Sequence, residues 1–156
     1  MFFIIKKLLF VINDFASQPT DAAVKPARAQ LLITVSIKNL KIKAPSHLDK
    51  GDCYFRNVDD RILLGGGRNL DFNSETTIVF GQTEIVKNKL EELLKELILP
   101  HHGFQIACRW SGIIGIGIRK KPIVSKLSEN VYCEVRLGGM GIAIENLVGK
   151  ELADLI

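Results

Sequence analysis

Cysteines, aromatic rings and long apolar runs are all scarce in this chain, and each scarcity closes off a class of function. The three cysteines, Cys53, Cys108 and Cys133, form no CxxC pair and no metal-ligand spacing. An odd count fits a reducing, cytoplasmic compartment better than a disulfide framework, and each thiol is expected to fill an apolar site. His47 stands alone and His101-His102 sit beside a Pro-Gly turn, so no metal site is expected. One Trp and two Tyr leave the basic residues with few ring neighbours. Lys6-Lys7, Lys38/Lys41/Lys43 and Arg119-Lys120-Lys121 make no sustained stripe, and the net charge of +4 is mild, so nucleic acid is not an expected partner. The opening MFFIIKKLLFVINDFA is interrupted by Lys6 and Lys7, well short of the ~20 apolar residues a membrane span needs. Its charges follow the first apolar residues rather than precede them, which is the wrong order for a signal peptide. No membrane partner is expected. Hydrolysis also lacks an apparatus: there is no Ser-His-Asp or Cys-His arrangement and no supported carboxylate pair.

What is present suits one ordinary core. The 156 residues are 47% hydrophobic and 24% charged, which excludes disorder. Leu8 to Ile12 reads as a buried parallel strand, and Ser17 to Pro26 as a crossing between layers. Residues 29–43 form a long β-prone stretch in which Leu31, Ile33, Val35 and Ile37 alternate. Cys53 to Val58 and Arg61 to Leu64, joined through Asp59-Asp60, read as a hairpin. Gly65-Gly66-Gly67 follows without the Lys-Ser/Thr of a phosphate loop, so its role reads as steric, a strand exit that lets backbone or ligand come close. The period changes near Thr83, where Val86, Leu90, Leu93, Leu94 and Leu97 share one helical face up to Pro100. Phe104, Ile106, Cys108 and Trp110 alternate as a strand, and Val131, Cys133 and Val135 make another. A final helix is expected to bury Ile144, Val148, Leu152 and Leu155.

The strongest chemical signal is the junction before that helix, Arg136-Leu137-Gly138-Gly139-Met140-Gly141. Its glycines permit close approach, and the first N–H groups of a helix have no internal acceptors. Together they suit a carbonyl-rich ring, a carboxylate or a phosphate; a purely structural strand-to-helix turn fits equally well.

VKPARAQ (24–30), YFRN (54–57), RILLGGGRNLDF (61–72), CRWSGIIG (108–115) and VYCEVRLGGMGIAIENLVGKELADLI (131–156) occur in that order. In this combination the chain resembles the C-terminal part of the D-amino-acid-oxidase-like FAD-dependent oxidoreductases, relatives of glycine oxidase and sarcosine oxidase. The resemblance implies an FAD-binding Rossmann-like domain interleaved with an antiparallel-sheet substrate domain. It also implies oxidation of amine or amino-acid C–N bonds, with FAD as cofactor and a small amine or amino acid as substrate. On the family pattern Gly138, Gly139, Met140 and Gly141 contact the flavin, while Arg109 and Trp110 enter the floor of the active site. Two departures stand out. The arginine of the glycine-oxidase-like Trp-x-Gly-x-Arg-Pro run is replaced by Ile114, followed by Gly115, which removes a bidentate carboxylate clamp. The strand, GxGxxG and helix that cradle a pyrophosphate are also missing from these residues.

The expected fold is therefore α+β, a fragment of the interleaved architecture. Residues 1–28 would be a remnant of the FAD-binding domain, 29–108 the substrate domain, and 109–156 the return to the FAD-binding domain. Such a fragment would be inactive alone and would not hold FAD tightly. It would otherwise serve as one subunit of a split flavoenzyme, completed by an N-terminal FAD-binding subunit or by self-association, or as a non-enzymatic binding module.

Overall fold

The structure, a computed structural model, describes residues 6–12 and 24–156. These form two compact units. One combines the chain up to Ala27 with Ile113–Ile156; the other is Arg28–Gly112.

The Arg28–Gly112 unit is built on an antiparallel sheet. Its strands are β2 (Lys25–Thr34), β3 (Ser46–Leu48), β4 (Cys53–Val58), β5 (Arg61–Gly66) and β6 (Ile106–Ile116), in the order β3-β4-β5-β2-β6. The β4–β5 hairpin falls where the sequence places it, pairing Val58 with Arg61. Asp59 and Asp60 both take positive φ, 51° and 58°, and the Asp60 N–H donates to Asn57 Oδ1 at 3.0 Å. Tight hairpin turns of this twist need such conformations, which aspartate tolerates better than branched residues. β2 is shifted from expectation: it starts at Lys25, inside the expected crossing, and stops at Thr34 rather than running to residue 43. Val35 N–H turns to Gln105 O and Ile37 N–H to Asp60 O, so the alternation beyond Thr34 belongs to a loop that tucks in Ile37 and Leu40.

Helix α1 (Phe72–Glu75) is a single turn capped by Asp71, whose carboxylate accepts from Ser74 N–H at 3.0 Å. Helix α2 (Glu84–Leu93) then lays Val86, Leu90 and Leu93 on a core that also holds Leu32, Ile62 and Leu64. Each such side chain contributes about 1.5–3 kcal/mol of burial. The last turn, Leu94–Ile98, is a π-turn closed by Leu99 N–H to Leu94 O at 2.8 Å. This one-residue insertion locally underwinds the helix and breaks the 3.6 period. Ile98 is buried, and Leu97, expected inside, is 58% exposed.

In the other unit β1 (Leu8–Phe10) pairs in parallel with β8 (Val131–Val135), as expected, but the expected burial of residues 8–12 fails: β1 is an edge strand, and Leu8, Leu9, Val11 and Ile12 are exposed. β7 (Ile123–Ser128), which the sequence reading missed, pairs antiparallel on the far side of β8 and makes the sheet mixed. Helix α3 (Gly141–Asp154) packs on β7 and β8 through Val148 and Leu152, while Leu155 lies exposed. Val24, Cys133 and Val135 form the small core here, with Phe10 and Ile123 against it.

Two cysteines behave as expected and one does not. Cys53 and Cys133 are buried, but Cys108 is exposed on β6. In the native protein a thiol reagent should therefore titrate one cysteine rapidly and the other two only on unfolding. Prompt labelling of all three would contradict these cores.

Candidate functional site

The glycine loop is positioned by two anchors in its own unit. After β8, Arg136 takes φ 65° and sends its guanidinium to Lys121 O through Nε at 3.0 Å and Nη2 at 2.7 Å. Gly138 N–H donates to Gly115 O at 3.2 Å, while Met140 O accepts from Ala143 and Ile144 and opens α3. Gly138 and Gly139 have φ of 59° and 80°, and a Cβ on either would meet nothing within 4 Å. The loop therefore presents open backbone. α3 has no side-chain cap, and the described residues supply no acceptor for the N–H groups of Gly139, Gly141 or Ile142. Acceptor-rich, flat groups suit such a surface.

Arg109 and Trp110 belong to the Arg28–Gly112 unit. As consecutive residues of β6 they point to opposite faces of the sheet. Arg109 turns toward α2, where its Nη2 pairs with the Glu91 carboxylate, and its Nε is buried without a partner. Trp110, on the other face, is 39% exposed. Beside it, Ser111 Oγ accepts from Gly81 N–H at 2.9 Å and fixes the 76–83 loop against the strand.

The sequence reading missed a buried polar network in this unit. Arg28 and Gln30, two apart on β2, share a face. Arg28 forks onto Glu75 through Nε–Oε2 at 2.9 Å and Nη2–Oε1 at 3.0 Å. Gln30 Nε2 at 2.8 Å and Thr83 Oγ1 at 2.7 Å also donate to Glu75 Oε1. Thr83 sits at the α2 N-cap without capping it; its hydroxyl donates to Glu75 and accepts from Gln30 Nε2 at 2.8 Å, so it is turned toward the network. Arg28 further donates to Ser74 O and Val79 O, so the network closes both ends of the 75–83 loop. Burial alone would raise the Glu75 pKa; hydrogen bonds from Arg28, Gln30 and Thr83, with the Arg28 charge, outweigh it and hold the carboxyl below its ordinary value. The signal was available in VKPARAQ: a polar i, i+2 pair in an otherwise apolar strand requires a partner.

The triple glycine resolves to a structural role. A Cβ on Gly66 would lie 2.1 Å from Asp52 O and 2.6 Å from Cys53 Cα, so it is the backbone of β4 that comes close, not a ligand.

Comparison with known proteins agrees with this arrangement of strands and helices. The family described as FAD dependent oxidoreductase matches residues 10–155. The chain belongs to that family. Glycine oxidase from Geobacillus kaustophilus superimposes with a TM-score of 0.79 at 15% identity, covering 98% of this chain and 42% of that one. L-proline dehydrogenase from P.horikoshii gives 0.76 at 18% identity, covering 96% and 42%. Iminodiacetate oxidase (IdaA) from Chelativorans sp. BNC1 gives 0.73 at 15%, covering 97% and 42%. The chain thus spans about 42% of the length of these solved relatives. No curated protein matches it.

Two expectations are corrected by these matches. The chain was expected to be only a C-terminal part lacking the dinucleotide-binding segment, with the fold of an incomplete fragment. The family match runs through nearly all 156 residues, and the fold is the family's mixed α+β arrangement over that length. That expectation leaned on one missing glycine motif, whereas the match is spread over strands, glycine exits and helices along the chain. Among the described residues no helix is long and apolar enough to cross a membrane.

Proposed function

We propose that the chain takes part in FAD-dependent oxidation of the C–N bond of a small amine or amino acid. The observation that carries this reading is the open Gly138–Gly139 loop at the start of α3 in a member of the FAD dependent oxidoreductase family. The solved relatives, named for the oxidation or deamination of proline, glycine, iminodiacetate and L-amino acids, support the substrate class. Bound flavin supplies a two-electron acceptor for the hydride leaving the carbon attached to nitrogen. The loop residues Gly138, Gly139, Met140 and Gly141 would hold the flavin, offering backbone N–H donors where its carbonyls and ring nitrogens need them. In the Arg28–Gly112 unit Trp110 lies exposed on β6, and Arg109, held by Glu91, would steady that strand. Ile114 cannot clamp a carboxylate, so binding by this part of the chain rests on shape and apolar contact.

The test is flavin binding followed through the loop. Titration with FAD, read by quenching of flavin fluorescence, should saturate. Gly139→Val should weaken it by at least about tenfold, or 1.4 kcal/mol, because a branched side chain would fill the open face and resist positive φ. Equal affinity in the variant would remove the loop from the site. Saturable binding with no amine-dependent reduction would favour the binding-module reading.

A further inference from the structure

We propose that Arg68 and Phe72 form a binding site for a small carboxylate that carries an apolar tail. Gly67, at φ 78°, turns the chain out of β5 into the short helical turn Arg68–Leu70. That turn sets the Arg68 guanidinium over the Phe72 ring, 4.8 Å from its centroid. Arg68 Nε is buried and has no hydrogen-bond partner. Its two terminal nitrogens make no hydrogen bond or ion pair with the described residues and are not completely shut off from solvent, so a small anion can reach the outer fork. An arginine held in this way has lost part of its hydration without gaining an anion, which is a costly arrangement to leave unmatched.

The nearest carboxylate does not serve. Glu75 acts on Arg68 through space, but its oxygens are taken by Arg28, Gln30 and Thr83. Asp52 acts on it more weakly still. Burial of Arg68 accordingly lowers its pKa, as expected for a cation short of partners. The planar fork matches a carboxylate in a two-point contact. A single guanidinium suits one negative charge better than a phosphate. Phe72, 53% exposed, offers a ring face beside the fork for an apolar tail. The site is independent of the glycine loop, and its existence does not depend on the redox reading.

The experiment follows the Arg68 Nε–H signal by 1H–15N NMR of the full chain during titration with benzoate, acetate or chloride. Benzoate should shift it saturably, with half-saturation at least tenfold below that of chloride. Arg68→Lys, followed through the Phe72 backbone amide signal because the variant has no Nε–H to observe, should lose benzoate binding by tenfold or more, since an ammonium cannot make the fork. Phe72→Ala, at an exposed position, should weaken benzoate about threefold while leaving acetate nearly unchanged, and it serves if the Arg68 variant does not fold. Linear, equal shifts for all three anions would overturn the proposal, as would undiminished benzoate affinity in both variants.

Discussion

Glu75→Ala should destabilise the protein by about 3–5 kcal/mol, a large part of the ~5–15 kcal/mol by which a domain is stable. The side chains are 10% and 1% exposed for Arg28 and Glu75, so removing the carboxylate strands a guanidinium where water cannot replace it. Gln30 and Thr83 lose their acceptor at the same time, and the 75–83 loop loses the link that closes its ends. Chemical denaturation should show a lower midpoint with an unchanged slope. Replacing the pair together, as Arg28→Met with Glu75→Leu, should recover much of the loss, because no unpaired charge remains. The pH response follows from the same residue. The Glu75 pKa lies lower in the folded protein than in the unfolded chain, where it is about 4.3. Its contribution is therefore complete above that unfolded value and disappears as pH falls through the folded one. A Glu75→Ala protein should lose less stability across that acid window than the parent. Identical acid profiles would show that the network is not a source of stability.

Gly66→Ala should cost about 2–6 kcal/mol. Two penalties combine: an L-residue at φ 121°, worth about 1–3 kcal/mol, and overpacking of the β4–β5 contact, worth another 1–3. The atoms in the way, Asp52 O and Cys53 Cα, are backbone, so no side chain can rotate aside. The clash falls where Gly66 pairs with both Cys53 and Gln30, so any backbone shift would reach the Arg28–Glu75 network too. Gly103→Ala, where a new Cβ meets nothing within 4 Å, is the control and should change stability by no more than about 0.5 kcal/mol. Equal effects at the two positions would contradict the close approach described here.

What could be read from sequence was local. The 53–66 hairpin and the α2 face through Leu94 follow from side-chain period and turn chemistry that act within a few residues. Leu97 was misplaced because one extra residue in a π-turn leaves no mark in the apolar pattern. β7 was missed because Ile123–Ser128, with Ser125, Lys126 and Ser128, is short and carries no sustained apolar alternation. The Arg28–Glu75 contact spans 47 residues, and no periodicity reaches that far. In the candidate site, the glycine loop was legible because glycine and a following helix are both local signals. The orientation of Arg109 toward Glu91 depends on which face of β6 meets α2, which only the fold decides.

The most direct measurement of the central claim is anaerobic reduction of flavin bound to the full chain by a panel of small amines and amino acids. The account predicts that at least one member bleaches the visible band of oxidised flavin, that readmitting an electron acceptor restores it, and that Gly139→Val diminishes the response. Bound flavin that stays oxidised across the whole panel would contradict it.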